Sequence, residues 1–151
     1  MRLEKYKTEF NSSKTEFEFI SEGPKGNIYK SVLFSKIKVK GLRNLYNLEF
    51  GDKNKATGEI DDFAITDNQD RDKVLATVVS TIFQFFQRHP KAQIFFTGST
   101  PARTRLYRMA MSKYLSELIL NFVLFGLSPN GLTIFENNRD YLAFIIRKKE
   151  K

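Results

Sequence analysis

The residues with the clearest chemical potential lie at a predicted helix start, from Ser99 to Arg105, where a polar turn precedes an apolar helical pattern. Ser99 or Thr100 is a suitable N-cap, and Pro101 suits the first helical turn because its missing N–H costs nothing there. Helix starts also present N–H groups without acceptors and a partial positive charge, which favour anions. We therefore predict an anion-binding site formed by Ser99, Thr100, Arg103 and Arg105.

Arg103 is the basic side chain of this segment that the helical pattern directs inward, because it falls on the apolar stripe of the helix. Arg105 and Arg108 fall on the opposite, solvated face. A guanidinium that faces the sheet needs a carboxylate or a bound anion, since burying it unpaired is costly. Two interpretations stay open: an internal pair with Asp61 or Glu136 that fixes the helix to the sheet, or an anion site.

A second polar turn, Thr66 to Asp70, precedes the other predicted helix. In open sheets with strand-helix-strand crossovers, ligands bind outside the carboxyl ends of the strands. We therefore expect both helix starts to open onto the same edge of the sheet. The polar neighbours expected beside the anion are Asp67 and Asn68 of this turn and Glu136 at the end of a later strand.

The composition argues against several other kinds of site. The 151 residues include no Cys, which rules out disulfides, thiolate metal sites and a thiol nucleophile. The acidic run from Glu59 to Asp72 matches no calcium loop, and His89, the one histidine, ends a predicted helix without a nucleophile nearby. We therefore predict no metal, no cofactor and no catalytic residue.

The net charge of +8 permits attraction to phosphate-rich partners such as nucleic acid. One predicted strand region alternates basic and apolar residues, which suits either a surface for single-stranded nucleic acid or a solvated sheet face whose lysines discourage edge pairing. Its basic residues are Lys30, Lys36, Lys38, Lys40 and Arg43. Because the chain shows no signal-peptide pattern and no stretch near the ~20 apolar residues of a membrane span, we expect a soluble, cytoplasmic protein without membrane contact.

Hydrophobic periodicity predicts one α+β domain over residues 1–151. Three-and-four spacing from Arg71 indicates a helix whose start Asp67 or Asn68 can cap and which ends before Pro90. The same spacing indicates a second helix that runs from Ser99 or Thr100 to a stop at Gly126. Strands are predicted over Thr15–Ile20, Ile28–Val39, Tyr46–Phe50, Ile60–Thr66, Gln93–Phe96, Leu132–Phe135 and Tyr141–Ile146. We expect a mixed β-sheet of about six to seven strands, with hairpins at the N- and C-terminal ends, two consecutive parallel crossovers, and two long helices on one face.

Several strings of the chain are similar to an uncharacterised bacterial domain family, and the resemblance spans most of the sequence. They are Gly23-Pro24-Lys25-Gly26, Asp61-Asp62, Asp67-Asn68, Lys73-Val74-Leu75-Ala76-Thr77-Val78 and Gly98-Ser99-Thr100-Pro101-Ala102-Arg103-Thr104-Arg105-Leu106-Tyr107. The resemblance implies a self-contained small protein, and it transfers no activity and no catalytic residue.

Three functions follow as hypotheses. The first is a non-enzymatic binding or interaction module whose partner is a phosphate-bearing ligand or nucleic acid, held at the Ser99 to Arg105 turn. The second is an enzyme that acts on a phosphate-containing substrate, with Asp67 or Glu136 as general base and Arg103 stabilising developing charge. The third is a structural or partner-regulating protein of a small two-gene system, with a protein partner or a homodimer.

Overall fold

The computed structural model describes residues 4–61 and 68–150. In these residues the chain forms nine strands of a mixed β-sheet and three helices, which confirms the α+β class and exceeds the six to seven strands expected. Two compact units are present, and each is made of two chain segments. The first unit comprises Met1–Phe34 and Glu49–Arg88, and the second comprises Ser35–Leu48 and His89–Lys151.

The first unit combines an antiparallel hairpin with one long helix. Its elements are β1 (Glu9–Phe10), β2 (Glu16–Gly23), the first part of β3 (Gly26–Val39), the last part of β4 (Leu42–Lys53), β5 (Ile60–Asp61) and α1 (Arg71–Arg88). Strands β2 and β3 pair with Gly23 opposite Gly26, so the N-terminal hairpin is confirmed. The α1 helix begins at Arg71, where the three-and-four spacing begins, so Asn68 lies three residues before the helix and is not its N-cap. Asp67, the other predicted cap, lies outside the described residues, as does part of the predicted strand Ile60–Thr66.

The core of the first unit is largely aromatic. The ring of Phe34 on β3 stacks on Phe85 of α1 with centroids 4.4 Å apart, and Phe17 of β2 packs edge-on against Phe34. All three side chains are buried. Phe supplies apolar volume without a polar tip, so this packing accounts for much of the Phe-rich composition.

The second unit contains the remaining elements and the candidate site. They are the last part of β3, the first part of β4, β6 (Gln93–Phe96), α2 (Pro101–Lys113), α3 (Leu115–Asn121), β7 (Phe122–Ser128), β8 (Gly131–Ile134) and β9 (Ala143–Lys148). The strand order in this unit is β4-β6-β9-β7-β8. Strand β6 runs parallel to β4, whereas the β6–β9, β9–β7 and β7–β8 pairs are antiparallel.

The second helix is shorter than predicted. The helical region ends at Asn121, and Phe122–Ser128 forms strand β7 between β8 and β9. The C-terminal hairpin is therefore β7–β8, not the predicted pairing of the last two strands. An unbroken apolar segment carries no period that separates helix from strand, and pairing on both sides decides for the strand here.

The prediction of two consecutive parallel crossovers is also wrong, because the strands that pair are not the predicted ones. Among the described residues, β6 pairs with β4 and β9, and β9 separates β6 from β7. Because Phe96 lies opposite Phe144, the loop that leads into β9 passes beside the carboxyl end of β6. This insertion of the last strand brings a distant part of the sequence to the start of α2.

Candidate anion-binding site

A groove of about 730 Å³ opens beside the N-terminal end of α2. All of its walls belong to the second unit: the turn after β6, the first two turns of α2 and the loop before β9. The lining residues are Thr97, Gly98, Ser99, Thr100, Pro101, Thr104, Arg105, Arg108, Asp140, Tyr141 and Leu142. A volume of this size is within the range of small-molecule sites.

The start of α2 is fixed by its cap. Thr100 has an extended backbone (φ −132°, ψ 158°), and its Oγ1 accepts a hydrogen bond from the Arg103 N–H at 3.1 Å. Pro101 is the first helical residue, as predicted. With the Arg103 N–H committed to the cap, the N–H of Ala102 is a first-turn donor without an intrahelical acceptor. The helix start therefore retains a backbone donor and its partial positive charge.

Gly98 lets the turn lie directly against the helix. Its N–H donates to Thr104 Oγ1 at 2.9 Å, and a Cβ at this position would lie 2.2 Å from the Thr104 backbone nitrogen. Beside it, Thr97 Oγ1 donates to the carbonyl oxygen of Leu142 at 2.6 Å, which ties the turn to the loop before β9. The groove is thus framed by backbone contacts that a larger residue than glycine would disrupt.

Two guanidinium groups give the groove its charge. Arg105 is exposed, and the Arg108 side chain is 20% exposed, with Nε 3.9 Å from Asp140 Oδ1. Asp140 is almost fully exposed, so solvent weakens this pair. Two cations and a helix start therefore face one solvated carboxylate, and the groove carries a net positive charge.

Three of the four residues of the predicted anion site line the groove, and the fourth does not. Ser99, Thr100 and Arg105 line the groove. Arg103 is directed inward, as its place on the apolar stripe predicts, and is 2% exposed, but it is not part of the groove lining. Arg108, which is predicted on the same solvated face as Arg105, also lines the groove.

Glu136 is exposed and belongs to the loop between β8 and β9. Its Oε2 pairs with Arg139 Nε at 2.8 Å, and its backbone N–H donates to the Tyr141 hydroxyl at 2.9 Å. Glu136 is thus one contact away from the groove, through Tyr141, but does not line it.

Asn68 lies in the first unit, and Asp67 lies outside the described residues. Asn68 is buried, with its Oδ1 accepting from the Lys25 N–H at 2.7 Å and its Nδ2 donating to the Gly26 carbonyl at 2.8 Å. A Cβ at Gly23 would lie 2.1 Å from the Asn68 carbonyl oxygen. Asn68 therefore holds the β2–β3 turn against the segment before α1, which is a structural role.

Sequence reasoning missed the loop wall from Asp140 to Leu142. The Tyr141 ring is buried and packs against Gly126 on β7, where a Cβ would lie 2.3 Å from two ring carbons. The prediction of a helix stop at Gly126 is wrong, because Gly126 lies within β7. A glycine inside an apolar segment is also typical of a strand that a neighbouring group approaches closely, and this was the available signal.

Comparison with known proteins places the chain in a family. No curated protein and no solved structure is significantly similar to it. Within residues 4–61 and 68–150, no helix combines the length and apolar character that a membrane crossing requires. The family of unknown function DUF6934 matches residues 2–149. The chain therefore belongs to the DUF6934 family of unknown function, in agreement with the resemblance seen in its sequence.

Proposed function

We propose that the protein is a binding module that holds a small phosphate-bearing ligand in the groove at the start of α2. The observation that carries this proposal is the convergence of a capped helix start and two arginines on one concave surface. A phosphate monoester presents several acceptor oxygens and up to two negative charges, which suit a guanidinium fork and a helix N-terminus together.

Arg105 and Arg108 supply the principal attraction. They lie three residues apart on α2, so their side chains share one side of the helix. Hydrogen bonds to charged groups contribute about 1.5–3 kcal/mol each, whereas the helix start contributes about 0.3–1 kcal/mol. The two arginines therefore dominate the binding energy. The groove volume leaves room for the organic part of a nucleotide or sugar phosphate.

The test is isothermal titration of the full chain with inorganic phosphate, pyrophosphate, AMP and ATP. We expect at least one of these to bind, and the variant Arg105→Gln/Arg108→Gln to weaken that binding 100-fold or more, since each lost charged contact costs about 10-fold or more. Arg139→Gln is the matched control, because it removes one exposed guanidinium that pairs with Glu136 outside the groove lining.

Failure of all four compounds to bind would overturn the proposal. Equal losses in the Arg139 and Arg105/Arg108 variants would also overturn it, because that result indicates a general charge effect. The thermal midpoint of each variant should stay near that of the wild type, since the substituted side chains are at least partly exposed.

A further inference from the structure

The net positive charge of the protein comes entirely from the second unit. It contains 14 basic and 4 acidic side chains, a net charge of +10, whereas the first unit contains 11 basic and 13 acidic, a net charge of −2. The two units interleave along the sequence, so the overall charge of +8 conceals this segregation. A net charge of +10 in one compact unit creates a field that attracts polyanions.

Part of this charge lies on an exposed two-stranded ribbon. Strands β3 and β4 are neighbours in the sheet, and the two-residue turn Lys40-Gly41 connects them, with Gly41 in the left-handed region (φ +86°). The segment Ser35–Leu48 contains four basic and no acidic residues. These four, all exposed, are the basic ribbon: Lys36, Lys38, Lys40 and Arg43.

Two further cations stand beside the ribbon. Leu45 of β4 lies opposite Gln93 of β6, and Gln93 lies opposite Arg147 of β9, so these three strand ends are adjacent. The Gln93 side chain also donates to the carbonyl oxygen of Arg43 at 3.3 Å. Lys91 in the turn before β6 and Lys149 after β9 are therefore close to the base of the ribbon, and both are exposed.

Within residues 4–61 and 68–150, no Asp or Glu side chain lies within ion-pair distance of the basic ribbon, Lys91 or Lys149. Like charges on neighbouring strands repel, and a bound polyanion relieves that repulsion.

We propose that the basic ribbon, with Lys91 and Lys149, binds the phosphate backbone of duplex nucleic acid. A two-stranded β-ribbon fits the major groove of B-DNA, which is about 12 Å wide, and its basic side chains then reach the phosphates on both sides. Surfaces for single strands depend on exposed aromatic side chains on which bases stack. The one aromatic residue in the sequence of Ser35–Leu48, Tyr46, is half-buried and packs against His89 with ring centroids 5.6 Å apart. This surface is separate from the α2 groove and does not depend on it.

Fluorescence anisotropy with a labelled 20-base-pair DNA duplex, measured with the full chain from 50 to 200 mM KCl, tests the proposal. Each phosphate contact contributes about −0.9 to the slope of log K against log salt. We expect Lys38→Gln/Lys40→Gln/Arg43→Gln to lower the magnitude of this slope by about 3 and the affinity at 100 mM KCl by at least 10-fold.

The matched control, Lys7→Gln/Lys25→Gln/Lys55→Gln, removes the same charge from exposed positions of the first unit and should change the slope by less than 1. Circular dichroism verifies that both triple variants fold. The proposal is overturned if the wild type does not bind the duplex at 50 mM KCl, or if the control loses as much affinity as the ribbon variant. Tighter binding to a single strand of the same length, or to phosphatidylserine vesicles, also overturns it.

Two of these variants distinguish failure of the ribbon proposal from failure of the groove proposal. Arg105→Gln/Arg108→Gln should leave the duplex slope within 1 of the wild-type value, and the ribbon variant should leave binding of the small phosphate compounds unchanged.

Discussion

Replacing Gly98 by Ala should damage both the stability of α2 and the anion groove. The added Cβ would lie 2.2 Å from the Thr104 nitrogen and 2.6 Å from the Arg103 carbonyl carbon, and ordinary contacts begin at 3.4 Å. These are backbone atoms, so no side-chain rotation relieves the clash. The first turn of α2 must therefore move away from Gly98 by about 1.2 Å.

That movement breaks the hydrogen bond from the Gly98 N–H to Thr104 Oγ1, now 2.9 Å long. Overpacking costs about 1–3 kcal/mol and the lost hydrogen bond about 1 kcal/mol, so we expect Gly98→Ala to lower the free energy of unfolding by about 2–4 kcal/mol. For a chain of this length, the corresponding fall in the thermal midpoint is about 5–15 °C.

Urea unfolding followed by circular dichroism measures the effect, and titration with the phosphate compound that binds the wild type measures the groove. Ala102→Ser is the matched control, because it also adds one heavy atom to the first turn of α2 but at an exposed position. Wild-type stability and wild-type phosphate affinity in Gly98→Ala would refute the close packing of the turn on the helix.

Three further predictions concern the first unit. Asn68→Ala removes the hydrogen bonds that hold the β2–β3 turn and should lower the free energy of unfolding in urea by about 2–3 kcal/mol. The phosphate affinity should stay unchanged, and a fall in affinity would instead support a role for Asn68 in binding. Burial and the hydrogen bond to Asp70 raise the pKa of Tyr6 above its usual 10.0. The unfolded chain therefore loses this proton first, and the free energy of unfolding falls as the pH rises above 10. Tyr6→Phe should flatten the dependence of the unfolding free energy on pH between pH 9 and 11, and an unchanged slope would contradict this reasoning. Lys30→Met leaves its ion-pair partner Asp52 without this cation and should lower the free energy of unfolding in urea by about 3 kcal/mol. Lys30→Met/Asp52→Leu should recover most of this lost stability. No recovery in the double variant would indicate that the ion pair itself stabilises the fold.

The parts of the fold that local signals determine could be predicted from the sequence. A change from alternation to three-and-four spacing located the start of α1 at Arg71, and the Thr100-Pro101 pair located the start of α2. Strand β6 was predicted with its observed bounds, because Gln93–Phe96 is a short apolar segment between turn residues. Each of these features depends on residues within a few positions of one another.

The parts that depend on distant pairing were not predictable. Phe122–Ser128 is apolar enough for either a helix or a strand, and its two strand partners lie later in the chain. Lys30 reads as a solvated strand residue, yet it is 1% exposed and paired with Asp52 of another strand. A single sequence contains no local signal for such partners.

The same limit applies to the groove. The inward direction of Arg103 follows from helical spacing alone, and the structure buries it. Which of the other arginines lines the groove depends on the loop from Asp140 to Leu142, which reaches the start of α2 because β9 inserts beside β6. The helix start was therefore predictable as a location, and the opposing wall was not.

Strand β6 separates the two positive surfaces of the second unit. The groove begins just beyond Phe96, at the carboxyl end of the strand, and Lys91 precedes its amino end. Four residues of strand extend about 13 Å, which is longer than any single phosphate group. One phosphate cannot neutralise both surfaces, so a small ligand in the groove leaves the basic ribbon uncompensated. If both proposals hold, we therefore expect the field of the second unit to attract a polyanion after the groove is filled, so that both ligands bind the protein together.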